Sequence, residues 1–198
     1  AEVIDFLVLG VVVDGGSRRV IVLGVIEVVA LEAGDRFQSV AAAQVEILTP
    51  GEGQVRALIV VGGNPLMAFP NQEKAFAALQ DLDLLVCIDA YMSGTAQVAD
   101  YVFAPKLTLE RDDVTLLADP WYEEPYSQYA KAVVATDHDV LEEWEVYWEL
   151  GQRLGLDVVI NGTHFDSPQK PSKFEVLKAI TAGSRVPLEW LRDNPGGH

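Results

Sequence analysis

Val55-Arg56-Ala57-Leu58-Ile59-Val60-Val61-Gly62-Gly63-Asn64-Pro65 is a short, nearly continuous apolar run that breaks off at two glycines, an asparagine and a proline. A half-exposed strand alternates apolar and polar residues, whereas one buried on both faces does not. Val55–Val61 therefore reads as an inner strand of a parallel sheet. Such a strand needs a covering helix. Asn71 offers an N-cap, and Gln72–Asp81 sets Ala75, Phe76, Leu79 and Leu82 on one helical face. A second apolar strand, Leu84–Ile88, ends at Asp89. Ser93 or Thr95 can cap a short helix through Ala99, and Tyr101–Ala104 makes a third strand closed by Pro105. This order, β-loop-α-β-loop-α-β, predicts right-handed parallel crossovers and an α/β fold.

Outside this unit the pattern is plainer. Residues 1–31 are rich in Val, Ile and Leu around a turn signal at Asp14-Gly15-Gly16, which suits a buried hairpin or two core strands. Residues 32–54 read as a connector holding a short helix, Ser39–Ile47, stopped by Thr49-Pro50-Gly51. Downstream, helical patterns span Val140–Leu154 and Lys173–Ala182, and Lys131–Ala135 can add a strand. The fold class expected is α/β, a Rossmann-like parallel sheet with helices on both faces.

Composition excludes several functions. Fourteen Lys+Arg face thirty Asp+Glu in 198 residues, a formal charge of −16 that repels phosphate backbones, so no nucleic acid is expected as a partner. The single cysteine excludes a disulfide framework within the chain and any all-cysteine zinc or iron–sulfur site. The most apolar stretch, residues 3–31, is interrupted by Asp5, Asp14, Arg18, Arg19 and Glu27, and its unbroken runs are strand-sized. No membrane insertion by this chain is expected, nor a signal peptide, because no basic region precedes the apolar one.

In an open parallel sheet, ligands bind beyond the carboxyl ends of the strands. Three loops leave strands at that edge: Gly62–Pro65, Asp89–Thr95 and Pro105–Arg111. Glycines, helix starts and an arginine suit a phosphate, and a strand-end carboxylate suits a group with paired donors. Guanine is such a group, so Asp89 is a candidate for reading it, with Asn64 helping and Arg111 near a phosphate or carbonyl. The plainer alternative stays open: a strand-to-helix turn at Gly62–Pro65, a helix cap at Asp89, and Arg111 paired with Asp112 or Asp113. Cys87, mid-strand, reads as an inert core thiol. His138 and His164 read as solvated surface groups, and His198 as a frayed end. Asn161-Gly162-Thr163 reads as a turn. The acidic series Asp137, Asp139, Glu142, Glu143 and Glu145 reads as a solvated helix start.

Several segments, in order, resemble the molybdopterin oxidoreductase family of the dimethyl sulfoxide reductase type. They are Arg56–Pro65, then Leu84-Leu85-Val86, Asp89, Thr95-Ala96, Ala99-Asp100, Pro105 and Glu110. Upstream lies Glu46–Gly51; downstream lie Glu143-Trp144, Arg153-Leu154-Gly155 and Ser184–Pro187. The resemblance covers residues 40–192 and implies an α/β domain gripping the guanine end of one of two molybdopterin guanine dinucleotides. Carried over residue by residue, it implies cofactor binding at Gly63, Asn64 and Pro65, at Ile88 and Asp89, and at Thr95, Arg111 and Glu143. Glu143 stands where the pattern often has an aspartate and Gly94 where it often has an acidic residue, and Arg111-Asp112-Asp113 departs from the glycine common after Glu110.

The cofactor so implied is bis-molybdopterin guanine dinucleotide with molybdenum or tungsten. The family's cysteine-rich iron–sulfur motif, its metal ligand and its β-rich pterin-binding domain have no counterpart here. The expectation is a fragment, inactive alone, of a larger prokaryotic enzyme, cytoplasmic or periplasmic. Any iron–sulfur cluster would lie in an N-terminal part of that parent. Its partners would be the parent's remaining domains and electron-transfer subunits. The domains expected are an apolar segment, 1–38, unlike family sequence; the cofactor-binding domain, 39–192; and a tail, 193–198. Two alternatives remain: a cofactor-free scaffold resembling the largest peripheral subunit of respiratory NADH dehydrogenase, and a stand-alone nucleotide-binding module.

Overall fold

The computed structural model describes residues 44, 47–51, 54–115, 123–124 and 126–198, and, by their backbone, residues 3–5, 11–13 and 19–24. Two compact units divide the chain, Glu2–Pro105 and Lys106–His198. The first unit holds strands β1 (Val3–Asp5), β2 (Val11–Val13), β3 (Arg19–Gly24), β4 (Val55–Val61), β5 (Leu84–Ile88) and β6 (Tyr101–Phe103). Five of them form one sheet in the order β2-β3-β4-β5-β6. β3, β4, β5 and β6 run parallel, with Val60 opposite Cys87 and Ile88 opposite Phe103. The expected α/β class is thus present, with one parallel strand more than Val55–Ala104 supplies. β2 and β3 form the expected antiparallel hairpin, Val13 opposite Arg19; its predicted turn at Asp14–Gly16 lies outside the described residues. Of the helix expected at Ser39–Ile47, Gln44 and Ile47 are described, and both are helical.

Burial on both faces accounts for the unbroken apolar runs of β4 and β5. Leu58, Ile59 and Val60 are buried, as are Leu85, Val86, Cys87 and Ile88. Two helices follow β4 where the sequence suggested one: α1 (Pro65–Ala68) and α2 (Gln72–Gln80). Asn71 caps α2 as expected, its side chain accepting from the Lys74 N–H at 3.1 Å. The buried face of α2 is Ala75, Ala78 and Leu79, spaced i, i+3, i+4, and Phe76, one residue off that stripe, is exposed. β6 ends at Phe103, and although apolar throughout it lies exposed at the sheet edge.

The second unit is assembled from shorter pieces: β7 (Asp113–Val114), β8 (Tyr129–Ala130), α3 (Glu143–Leu154), β9 (Asp157–Ile160), β10 (Thr163–His164), α4 (Lys173–Ile180) and α5 (Leu188–Asp193). Val114, Tyr129, Leu177, Leu188 and Leu191 form a core. The strand expected at Lys131–Ala135 is absent. Strand pairing stops at Ala130, and Val133 and Val134 lie exposed with their N–H groups on the Leu109 carbonyl at 2.9 and 3.0 Å. Asn161-Gly162 is the expected turn: both residues take positive φ (46° and 76°), joining β9 to β10 as a two-residue hairpin. The C-terminal residue is not frayed. His198 exchanges two backbone hydrogen bonds with Ser127, at 2.9 and 3.0 Å, and its ring stands edge-on to Trp190.

Candidate functional site

The carboxyl edge of the first unit's sheet is built by the loops after β4 and β5. Each begins with an N–H that extends the ladder: Gly62 donates to the Ile88 carbonyl at 2.8 Å, and Asp89 to that of Phe103 at 3.1 Å. Gly62 then turns the chain with φ of 59°, a conformation that costs glycine nothing. The Asn64 carbonyl receives the Met67 and Ala68 N–H groups, starting α1, and Pro65 is buried beneath it.

The Asn64 side chain ties this loop to the next one. Its Oδ1 accepts from the Thr95 hydroxyl at 2.9 Å and from the Thr95 N–H at 3.2 Å. The same hydroxyl accepts from the Leu66 N–H at 3.0 Å, and Thr95 is fully buried. A Cβ at Gly94 would stand 3.3 Å from a Leu66 methyl, so the two loops are also in close contact. Thr95 therefore joins the loops, while the cap on the following 3-10 turn comes from Ser93, whose Oγ accepts from the Ala96 N–H.

Asp89 is half-buried at the end of β5. Its Oδ1 accepts from the Tyr91 N–H at 3.0 Å, and its Oδ2 has no partner among the described residues. Beside it Tyr91 and Met92 are exposed, 80% and 61%. Ile88, by contrast, is core. Cys87 is wholly buried, and burial, helped by Asp89, pushes its thiol up to about 11, in keeping with an inert core thiol.

Arg111 and Glu143 belong to the second unit and hold each other. Arg111 Nη1 donates to both Glu143 oxygens, at 3.1 and 2.9 Å. Its Nε lies 3.2 Å from Asp113 Oδ2, close enough for an ion pair but not aligned for a hydrogen bond. Burial works against the guanidinium's charge, yet Glu143 and Asp113 outweigh it and leave its pKa raised. The guanidinium thus already has two carboxylate partners.

The reading of residues 137–145 as a solvated helix start misses Glu142. It is 5% exposed, accepting from Trp144 Nε1 at 3.0 Å and paired with Lys173 at 2.7 Å and Lys106 at 3.7 Å. Glu145 reaches back to the Glu142 N–H at 2.7 Å and pairs with Lys170. The only local signal was the i, i+3 spacing of the two glutamates; the lysines come from distant segments. His164, at an exposed hairpin, meets Asp157 at 2.6 Å, and His138 is exposed, as expected of surface groups.

Parallel strands with glycine-marked loops at their carboxyl edge make an α/β unit of the kind whose ligands bind at that edge. Comparison with known proteins is more specific. The family model for molybdopterin oxidoreductase matches residues 27–153, and the chain belongs to that family. It is 34% identical over 103 residues to an acetylene hydratase of Syntrophotalea acetylenica, covering 52% of this chain and 14% of that protein. It is 32% identical over 103 residues to the NADPH-Fe(3+) oxidoreductase subunit alpha of Geobacter sulfurreducens, covering 52% of this chain and 12% of that one. The solved acetylene hydratase from Pelobacter acetylenicus superposes with a TM-score of 0.52 at 32% identity, over 59% of this chain and 16% of that one. The chain thus spans a small part of the relatives it matches. Among the described residues, no helix is long and apolar enough to cross a membrane.

Proposed function

We propose that this chain is the part of a molybdopterin-dependent oxidoreductase catalytic subunit that holds the guanine dinucleotide tail of its cofactor, bis-molybdopterin guanine dinucleotide. When bound, that group supplies the molybdenum or tungsten at which electrons or an oxygen atom are passed. The residues of this chain bind and orient it. The carrying observation is that Oδ2 of Asp89, beyond the carboxyl end of β5, has no partner among the described residues. Its Oδ1 has spent one lone pair on Tyr91, and the carboxylate keeps acceptor capacity for the adjacent N1–H and amino group of a guanine. Gly62 and Gly63 let the backbone approach a ligand, and the Asn64 amide nitrogen offers a donor. Pro65, Ile88 and Thr95 shape the edge from within.

Arg111 and Glu143 enter this proposal as a pair. Either can meet the cofactor only with whatever capacity their mutual hydrogen bonds leave. Among the described residues no three His, Cys, Asp or Glu side chains gather as metal ligands. The remaining domains of a parent enzyme, and its electron-transfer subunits, are the proposed partners.

Calorimetric titration of the 198-residue chain with GDP and with ADP tests this reading. GDP is expected to bind in preference to ADP. Asp89→Asn, which sets an amide donor against guanine's donors, is expected to erase that preference. A chain that binds neither nucleotide fits a cofactor-free scaffold instead. Equal binding of the two, or a preference indifferent to Asp89→Asn, removes Asp89 from the site.

A further inference from the structure

Which atoms Asn64 can offer a ligand is set from the second loop. The Thr95 backbone N–H can only donate, so the Asn64 atom facing it must be the carbonyl oxygen. The Thr95 hydroxyl has one hydrogen. It accepts from Leu66 N–H and so gives that hydrogen to the same oxygen. Two donors thus converge on Asn64 Oδ1, and rotating the amide by half a turn would set an NH2 against an N–H. Asn64 Nδ2 has no partner among the described residues, and Asn64 itself is half-buried at the turn after β4. Thr95 is fully buried and has no polar hydrogen left to give a ligand.

We infer that Thr95 is a positioning residue that locks the Asn64 carboxamide with its NH2 toward the ligand, so that this position donates to an acceptor oxygen of the bound nucleotide and never accepts from it. The inference rests on the proposed guanine dinucleotide site. It assigns distinct roles to two residues that the family resemblance treats alike: Asn64 touches the ligand, and Thr95 acts only through Asn64. It also makes the loops after β4 and β5 a single recognition element, because the donor on one is aimed by a residue on the other.

Three variants of the 198-residue chain separate these roles. Asn64→Asp keeps an oxygen for Thr95 but replaces the outward donor with an acceptor. It is expected to weaken GDP binding about tenfold or more while leaving the unfolding midpoint in place. Thr95→Val removes the hydroxyl at nearly constant shape and is expected to weaken GDP binding about tenfold, whereas Thr95→Ser stays within about threefold of wild type. By NMR, the Asn64 side-chain NH2 is expected to give one sharp pair of resonances in wild type and Thr95→Ser, and an exchange-broadened pair in Thr95→Val. If wild type binds GDP in an Asp89-dependent way but Asn64→Asp and Thr95→Val bind it equally well, the inference falls and the guanine reading stands. If wild type binds no nucleotide, the guanine reading falls and takes the donor role of Asn64 with it. An Asn64 NH2 as sharp in Thr95→Val, which keeps the Thr95 N–H on Oδ1, as in wild type overturns the Thr95 side chain as the positioning group, whatever the nucleotide does.

Discussion

Two regions, one in each unit, handle polar groups in opposite ways. At the sheet edge of Glu2–Pro105, neutral donors and acceptors fasten the loops to each other, and two groups, Asp89 Oδ2 and Asn64 Nδ2, are left with capacity to spare. In Lys106–His198, charge meets charge: Glu142 is enclosed by two lysines and an indole N–H, and Arg111 by two carboxylates. Family-matching residues occur in both units, so the match alone does not separate contact from support. The proposed site separates them by unspent hydrogen-bonding capacity. A group already paired inside the protein must give something up to bind a ligand; one held in place but unpaired need not.

The contrast can be broken most forcefully at Glu142. Glu142→Ala leaves Lys173 and the Trp144 N–H without their buried acceptor and is expected to cost about 3–5 kcal/mol. Urea unfolding followed by tryptophan fluorescence reads this directly, because all 4 tryptophans lie after Lys106. A loss under about 1 kcal/mol, the range of a surface pair, would mean that Glu142 is no hub. Next come the glycines. A Cβ at Gly151 would run into the Val158 side chain, so Gly151→Ala is expected to cost about 1–3 kcal/mol. A Cβ at Gly63 meets nothing nearer than 3.6 Å, so Gly63→Ala is expected to keep the unfolding midpoint and to weaken GDP binding alone. Loss of stability at Gly63 would count against an edge kept open for a ligand.

Asp89→Asn is expected to reduce GDP affinity about tenfold without changing stability, since the side-chain oxygen still serves the Tyr91 N–H. The smallest effect is that of acid on the second unit. Burial alone would raise Glu145 and Asp112, but the first is overruled by the Glu142 N–H and Lys170, the second by Tyr129 and the Ala132 N–H. Both sit below their ordinary values of 4.5 and 3.8. Their contribution to stability is therefore complete above those values and is lost as pH falls through the lower folded ones. The tryptophan-reported urea midpoint is expected to hold from pH 7 to about 5 and to drop below about 4. A midpoint that rises on acidification would contradict the assigned pairs.

Much of the first unit was legible because its signals are local. An unbroken apolar run identifies a doubly buried strand, Asn71 announces a helix, and a strand-end aspartate falls where parallel sheets bind ligands. The third strand was legible too, but Phe76 misled, because apolarity does not reveal which neighbours exist to cover it. The second unit was less legible. A strand read at Lys131–Ala135 found no sheet to join, and His198 was held by Ser127, which is far from it in sequence.

The sequence by itself determined the parallel α/β class, the loops at its carboxyl edge, the inert thiol of Cys87 and, through ordered motifs, the family. Each is encoded in residue types a few positions apart. Only the tertiary structure decided that Thr95 serves Asn64, that Arg111 and Glu143 satisfy each other, and that Glu142 is buried among lysines. The partners in these pairings lie 31 to 36 positions apart, Lys106 and Glu142 being the most distant. A hydrogen bond depends on distance and direction in space, which residue type does not carry, so a group's remaining capacity to bind became readable only once the chain had folded.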